Sequence, residues 1–123
     1  MKKFLLFLFV TTLFVGSLSA DNKNSESGLI GEWKFECPSA PYGYTAGSIF
    51  VLKKEGKLEG YVKFSDGYKI DLKNIDFSEN TFKSGIYVDY EYVGLKATLD
   101  GTKMKGTANS PEGDLSFTAN KVE

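Results

Sequence analysis

From Gly31 onward the apolar residues of this chain recur at every second position, and short clusters of turn-forming residues cut the alternation into segments. A period of two sends successive side chains to opposite faces of an extended strand, and no apolar pattern of period 3.6 lasts long enough for a convincing helix. The chain is therefore restricted to an antiparallel all-β fold. In the first segment Gly31, Trp33, Phe35 and Cys37 share a face, with Glu32, Lys34 and Glu36 opposite. Gly47 to Lys54 is apolar on both faces, the pattern of a strand covered on two sides. Leu58, Gly60, Val62 and Phe64 face inward next, and Tyr68, Ile70 and Leu72 continue that face toward a kink at Lys73-Asn74, after which come Ile75 and Phe77.

A long strand is expected through Phe82, Ile86, Val88, Tyr90 and Tyr92, with Gly94 bending the chain into Leu95, Ala97 and Leu99. Met104, Gly106 and Ala108 follow, then Leu115, Phe117, Ala119 and Lys121. Turns are marked by Glu55-Gly56-Lys57, Ser65-Asp66-Gly67, Ser78-Glu79-Asn80, Asp100-Gly101-Thr102 and Ser110 to Asp114. Asp-Gly between alternating runs is among the strongest short hairpin signals. The sum is about eight strands spaced roughly 8–12 residues apart, which suggests a sandwich or a barrel. Short connections favour up-and-down order over a Greek key. Gly60 and Gly106 each follow an acid-glycine turn at similar distance and fall on inward faces, where a glycine marks a bulge, a bend or a close approach of backbone.

Ahead of this domain stands a different pattern. Lys2 and Lys3 precede an apolar run from Phe4 to Val15, followed by the small residues Gly16 to Ala20 and a polar stretch. That order is the order of a secretory signal peptide, and the run falls short of the ~20 residues needed to cross a bilayer. The expected division is a signal peptide over 1–20 cleaved after Ala20, a flexible segment over 21–28, and a β-barrel domain over 29–123. Such a chain is periplasmic or extracellular, with no stable membrane anchor after cleavage. Thirteen lysines then face sixteen acids, with no arginine and no histidine. Lysines scattered singly in a mildly acidic chain argue against nucleic acid, which requires a basic stripe. With a single cysteine no intramolecular disulfide forms, so packing alone must hold the fold.

Gly31-Glu32-Trp33 on the first strand, a meander after it and a basic residue on the last strand resemble the calycin superfamily of lipocalins, fatty-acid-binding proteins and avidins. The resemblance implies a barrel in which Trp33 packs near one end beneath Lys121, a pairing that would close first strand to last. Trp33-Lys34-Phe35 and Ala40-Pro41-Tyr42-Gly43-Tyr44 also resemble stretches of small exported β domains of Bacteroidetes-type bacteria, which implies export and supplies no activity.

Chemistry-bearing candidates are few. Cys37 has no histidine to activate it and shares a face with Trp33 and Phe35, so it reads as a buried, inert thiol. Asp66, Asp71 and Asp76 lack the spacing of a calcium loop, and Asp89 with Glu91 reads as a solvated strand face. No catalytic residue, metal site or cofactor is assigned. Residues 38–47 form the longest non-periodic stretch of the domain, with two prolines and two tyrosines, and stand either as a lid at a barrel mouth or as an ordinary stiffened loop. Two functions stay open. One is a carrier for a small apolar or amphiphilic ligand, with Tyr42, Tyr44, Tyr90 and Gly106 as candidate binding residues. The other is an interaction module for a periplasmic protein, with a packed core and exposed faces at Tyr42, Tyr44, Tyr61 and Tyr87.

Overall fold

The computed structural model describes residues 26–122; the expected signal peptide lies outside the described residues. Nine antiparallel strands form one sheet: β1 (Gly31–Glu36), β2 (Ala46–Lys54), β3 (Lys57–Phe64), β4 (Lys69–Asp71), β5 (Lys73–Ser78), β6 (Thr81–Val88), β7 (Glu91–Asp100), β8 (Lys103–Ser110) and β9 (Gly113–Lys121). Their spatial order is β4-β3-β2-β1-β9-β8-β7-β6-β5, an up-and-down meander in which first and last strands pair side by side. β4 and β5 occupy the two edges but are separated only by Leu72, so a single bent segment runs from one edge toward the other and the barrel is nearly closed.

That segment explains why the count is nine. At the kink Asn74 adopts φ 52°, and the pairing of β5 with β6 shifts register between Lys73 and Asp76. The bulge turns the chain away from β3 and onto β6, so one alternating run becomes two strands. Ser84, buried on the inner face of β6, donates its Oγ hydrogen to the Lys73 carbonyl at 2.7 Å and satisfies an acceptor exposed by the irregularity.

The alternation reads the inner face well over most of the barrel, and two expectations need correction. β2 is not covered on both sides, because a single-layer barrel offers no second sheet. Ile49 and Val51 are buried, whereas Leu52 is exposed and Phe50 stacks on Tyr61 on the outer surface, with ring centroids 4.7 Å apart. The strand expected to continue through Tyr92 stops at Val88. Asp89 and Tyr90 both take positive φ, 51° and 70°, and form a two-residue turn that pairs Val88 with Glu91 and Tyr87 with Tyr92. Tyr90 is therefore fully exposed at a hairpin tip, and Tyr92 lies beside Tyr87 on the outer face. Gly94 sits within β7, paired to Gly85 and Asn109, and makes no turn.

The two ends of the barrel differ. Turns 55–56, 79–80 and 101–102 share one end with a four-residue helix, α1 (Glu26–Leu29), so part of the segment expected to be flexible is helical. Here Leu29, Trp33, Phe82 and Met104 are the large side chains fully removed from solvent. The Trp33 indole N–H donates to the Leu29 carbonyl at 2.8 Å, and Lys121 donates from Nζ to the Gly28 carbonyl at 2.8 Å. Trp33 and Lys121 are register partners, and Nζ stands 5.8 Å from the indole centroid. Gly31 opens the strand with φ 139°, and a Cβ there would lie 2.9 Å from Lys121 Cε. Only glycine both tolerates that backbone and leaves room for the lysine. This end is plugged.

Candidate functional site

At the opposite end lie the 37–45 connection and the turns near 66, 90 and 112. Between them opens a cavity of about 560 Å³. Phe35, Ile49, Val62, Phe64, Ile86 and Leu95 are among the inward residues that form its floor and walls, with Val88, Val93, Ala108, Leu115 and Phe117 continuing them. These positions belong to the mouthward halves of their strands, where the side chains do not reach across the barrel to meet. The closed half is filled by Trp33, Phe82 and Met104.

The connection after β1 bends over one side of the opening. Cys37 N–H donates to the Thr45 carbonyl at 2.7 Å, Ala40 N–H to the Cys37 carbonyl at 3.0 Å, and Tyr44 N–H to the Pro41 carbonyl at 2.9 Å. These bonds hold the loop as two consecutive tight turns. Ser39, Ala40, Pro41 and Tyr44 thereby face the cavity. The Tyr44 ring meets Phe64 edge to face at 4.9 Å, and Phe64 meets Phe35 in the same manner at 5.9 Å, so an aromatic corner supports the loop.

Of the four candidate binding residues, Tyr44 lines the cavity and the other three do not. Tyr42 is fully exposed on the outer side of the loop, and Tyr90 is at its hairpin tip. Gly106 lies at a close approach of backbone, since a Cβ there would sit 2.3 Å from the Lys96 carbonyl oxygen and 2.5 Å from the Ala97 Cβ. Gly60 is similar against the Phe50 carbonyl. These glycines let neighbouring strands draw together and do not hollow the barrel.

Cys37 also lines the cavity. Burial pushes its thiol above the ordinary range, with a backbone hydrogen bond at Ala40 opposing the shift. A raised pKa leaves little thiolate at neutral pH, and thiolate is the reactive form. Alkylation by iodoacetamide at pH 7.5 should therefore run several-fold slower than for an exposed peptide cysteine. Its rate should keep climbing at alkaline pH after the peptide has levelled off. A reaction as fast as the peptide's would place the thiol in solvent.

The sequence reading did not foresee the chemistry of the rim. Asp89, Glu91, Glu112 and Asp114 border the opening, and among the described residues no lysine joins them. Asp114 accepts a hydrogen bond from the Asn109 amide at 2.6 Å, and Asp66 accepts from the Tyr68 N–H at 3.0 Å. The Tyr44 hydroxyl is pushed above the usual tyrosine range first by desolvation, then by the negative field of Asp89, with Tyr68 and Asp66 adding to it. Among the described residues no group of three or more His, Cys, Asp or Glu is placed to hold a metal ion.

No family model and no curated protein matches this sequence. Solved structures do. A redesigned β barrel superposes with a TM-score of 0.55 at 20% identity, covering 79% of this chain and 94% of its own. Fatty-acid-binding protein 1 of Echinococcus granulosus superposes with a TM-score of 0.54 at 13% identity, covering 79% of this chain and 99% of its own. The fold is an antiparallel β barrel of the kind these two structures have. At such identity the likeness speaks for architecture, and the site has to be argued from its own residues.

Proposed function

We propose that this protein is an exported, non-enzymatic binding barrel that takes a small apolar or amphiphilic ligand through the open end. The single observation that carries the reading is the cavity, whose about 560 Å³ falls within the ~300–1,000 Å³ of small-molecule sites. Its wall is a continuous apolar surface with polar groups confined to the loop and rim, an arrangement that would bury a hydrocarbon tail and leave a head group wet. A superposing barrel is named a fatty-acid-binding protein, which supports a ligand of that general shape. The expected signal peptide supports export to a periplasm or beyond.

Titration with N-phenyl-1-naphthylamine, a neutral apolar fluorophore, tests the reading. Saturable enhancement at one site per chain is expected, and an absence of enhancement at tens of micromolar protein would overturn it. The tyrosines sharpen the test. Tyr44→Ala should weaken the probe several-fold by removing a wall and its contact with Phe64. Tyr42→Ala should leave affinity unchanged, because that ring faces solvent. Equal losses at both positions would place the ligand on the outside of the loop, as an interaction surface requires.

A further inference from the structure

We propose that the ligand's head group is cationic: the occupant is a single-tailed amphiphile whose positive charge rests among the carboxylates of the rim. This rests on the cavity reading above and goes beyond it by naming the head group.

The argument begins with where the charges fall. In a meander every second connection lies at the same end. The mouth connections here are residues 37–45, 65–68, 89–90 and 111–112, and they carry Asp66, Asp89 and Glu112 and no lysine. Glu91 opens β7 and Asp114 is the second residue of β9, the strands that leave this end. At the plugged end both signs are mixed: Lys53, Lys54 and Lys57 flank the turn that holds Glu55, Lys53 pairs with Glu26 at 2.7 Å, and Lys103 and Lys121 share that end with Glu79 and Asp100. The mouth is thus the end whose connections carry acids with no lysine among them. Lys34, Lys63 and Lys69, which share one register row through Ser48 toward the mouth, are exposed on the outer surface, and Lys69 is engaged over the Tyr61 ring at 4.4 Å.

Among the described residues the cavity lining holds no compensating cation. With no arginine and no histidine in the chain, and no lysine among the lining residues, a carboxylate or phosphate head would have no charged donor to meet. It would instead stand beside four exposed carboxylates, whose like charge repels it at low salt. A cationic head is attracted by the same groups, while its tail occupies the apolar wall behind them. The rim acids do not converge as metal ligands, which suits a diffuse organic cation better than a divalent ion.

The test uses three ten-carbon probes that differ only in the head: decyltrimethylammonium, 1-decanol and decanoate, each below its micellar concentration. Protection of Cys37 from alkylation reports occupancy of this cavity and no other place on the protein. At low salt the cation should bind about tenfold tighter than the alcohol, the order expected for one charge facing several partly solvated carboxylates, and decanoate should bind weakest. The preference should shrink to within about threefold at 1 M salt, where the Debye length is ~3 Å. The same loss is expected in the variant D89N/E91Q/E112Q/D114N, with decanol affinity unchanged as its control for an intact fold. If decanol protects the thiol but the cation does no better, or if the preference survives in the variant, the head-group assignment is overturned and the cavity reading stands. If none of the three protects Cys37, the cavity reading is overturned and the assignment goes with it.

Discussion

Trp33→Ala should lower the unfolding free energy by about 3–5 kcal/mol, the usual cost of truncating a large buried aromatic. The ring is fully buried at the plugged end, so its loss leaves a void that the surrounding strands can close only in part. Its N–H is bonded to the Leu29 carbonyl at 2.8 Å, which would be left without that donor. The ring also lies beneath Lys121, whose ammonium is anchored on the Gly28 carbonyl. One substitution thus loosens three elements, β1, β9 and α1. For a small domain with a urea m-value of ~1–3 kcal/mol per molar, the midpoint should fall by roughly 2 M with little change in slope. Lys121→Met retains apolar volume and removes only the charge and its hydrogen bond, so a loss nearer ~1–2 kcal/mol is expected. A Trp33→Ala midpoint within a few tenths molar of the parent would show that the plugged end does not hold the barrel closed.

At this end the pairing of Trp33 with Lys121 was expected, and the helix that covers it was not. Trp33 and Lys121 each lie in phase with an inward alternation, and it was the family resemblance that implied they meet at one end. What escaped reading escaped for local reasons. The turn between β6 and β7 uses Asp89 and Tyr90 at positive φ, and tyrosine carries no turn signal, whereas Gly94 nearby carries a strong one and makes no turn. Tyr90, expected within a strand, stands in the turn instead. The break at Leu72 depends on a bulge at Asn74, and a register shift leaves no mark on polarity. Gly106 stood open among a bulge, a bend and a close approach of backbone, and only the position of the Lys96 carbonyl decides for the close approach. The acids of the rim were visible one at a time. Their gathering at one end requires the turn order of the finished barrel.

That ambiguity at small residues leads to a pair of substitutions with opposite expected results. Gly106 and Ala108 are two positions apart on β8 and face the same interior. At Gly106 even a methyl group meets backbone, so Gly106→Ala must push β7 away and should cost about 1–3 kcal/mol, as overpacking does. At Ala108 the neighbours across β7 and β9 are Leu95 and Leu115, and all three border the cavity. A phenylalanine there extends into space that no protein atom fills. Ala108→Phe should therefore change stability by less than about 1 kcal/mol, because the added ring displaces no packed group and gains apolar contact. Its cost falls on the ligand instead, and affinity for a neutral apolar probe should drop about tenfold or more as the tail loses its place. Urea unfolding and probe titration of the two variants read both quantities. If Ala108→Phe destabilises as much as Gly106→Ala, the barrel interior is packed in solution and the exposed tyrosines become the better guide to function. If it folds normally and binds nothing, the open half of the barrel is the site.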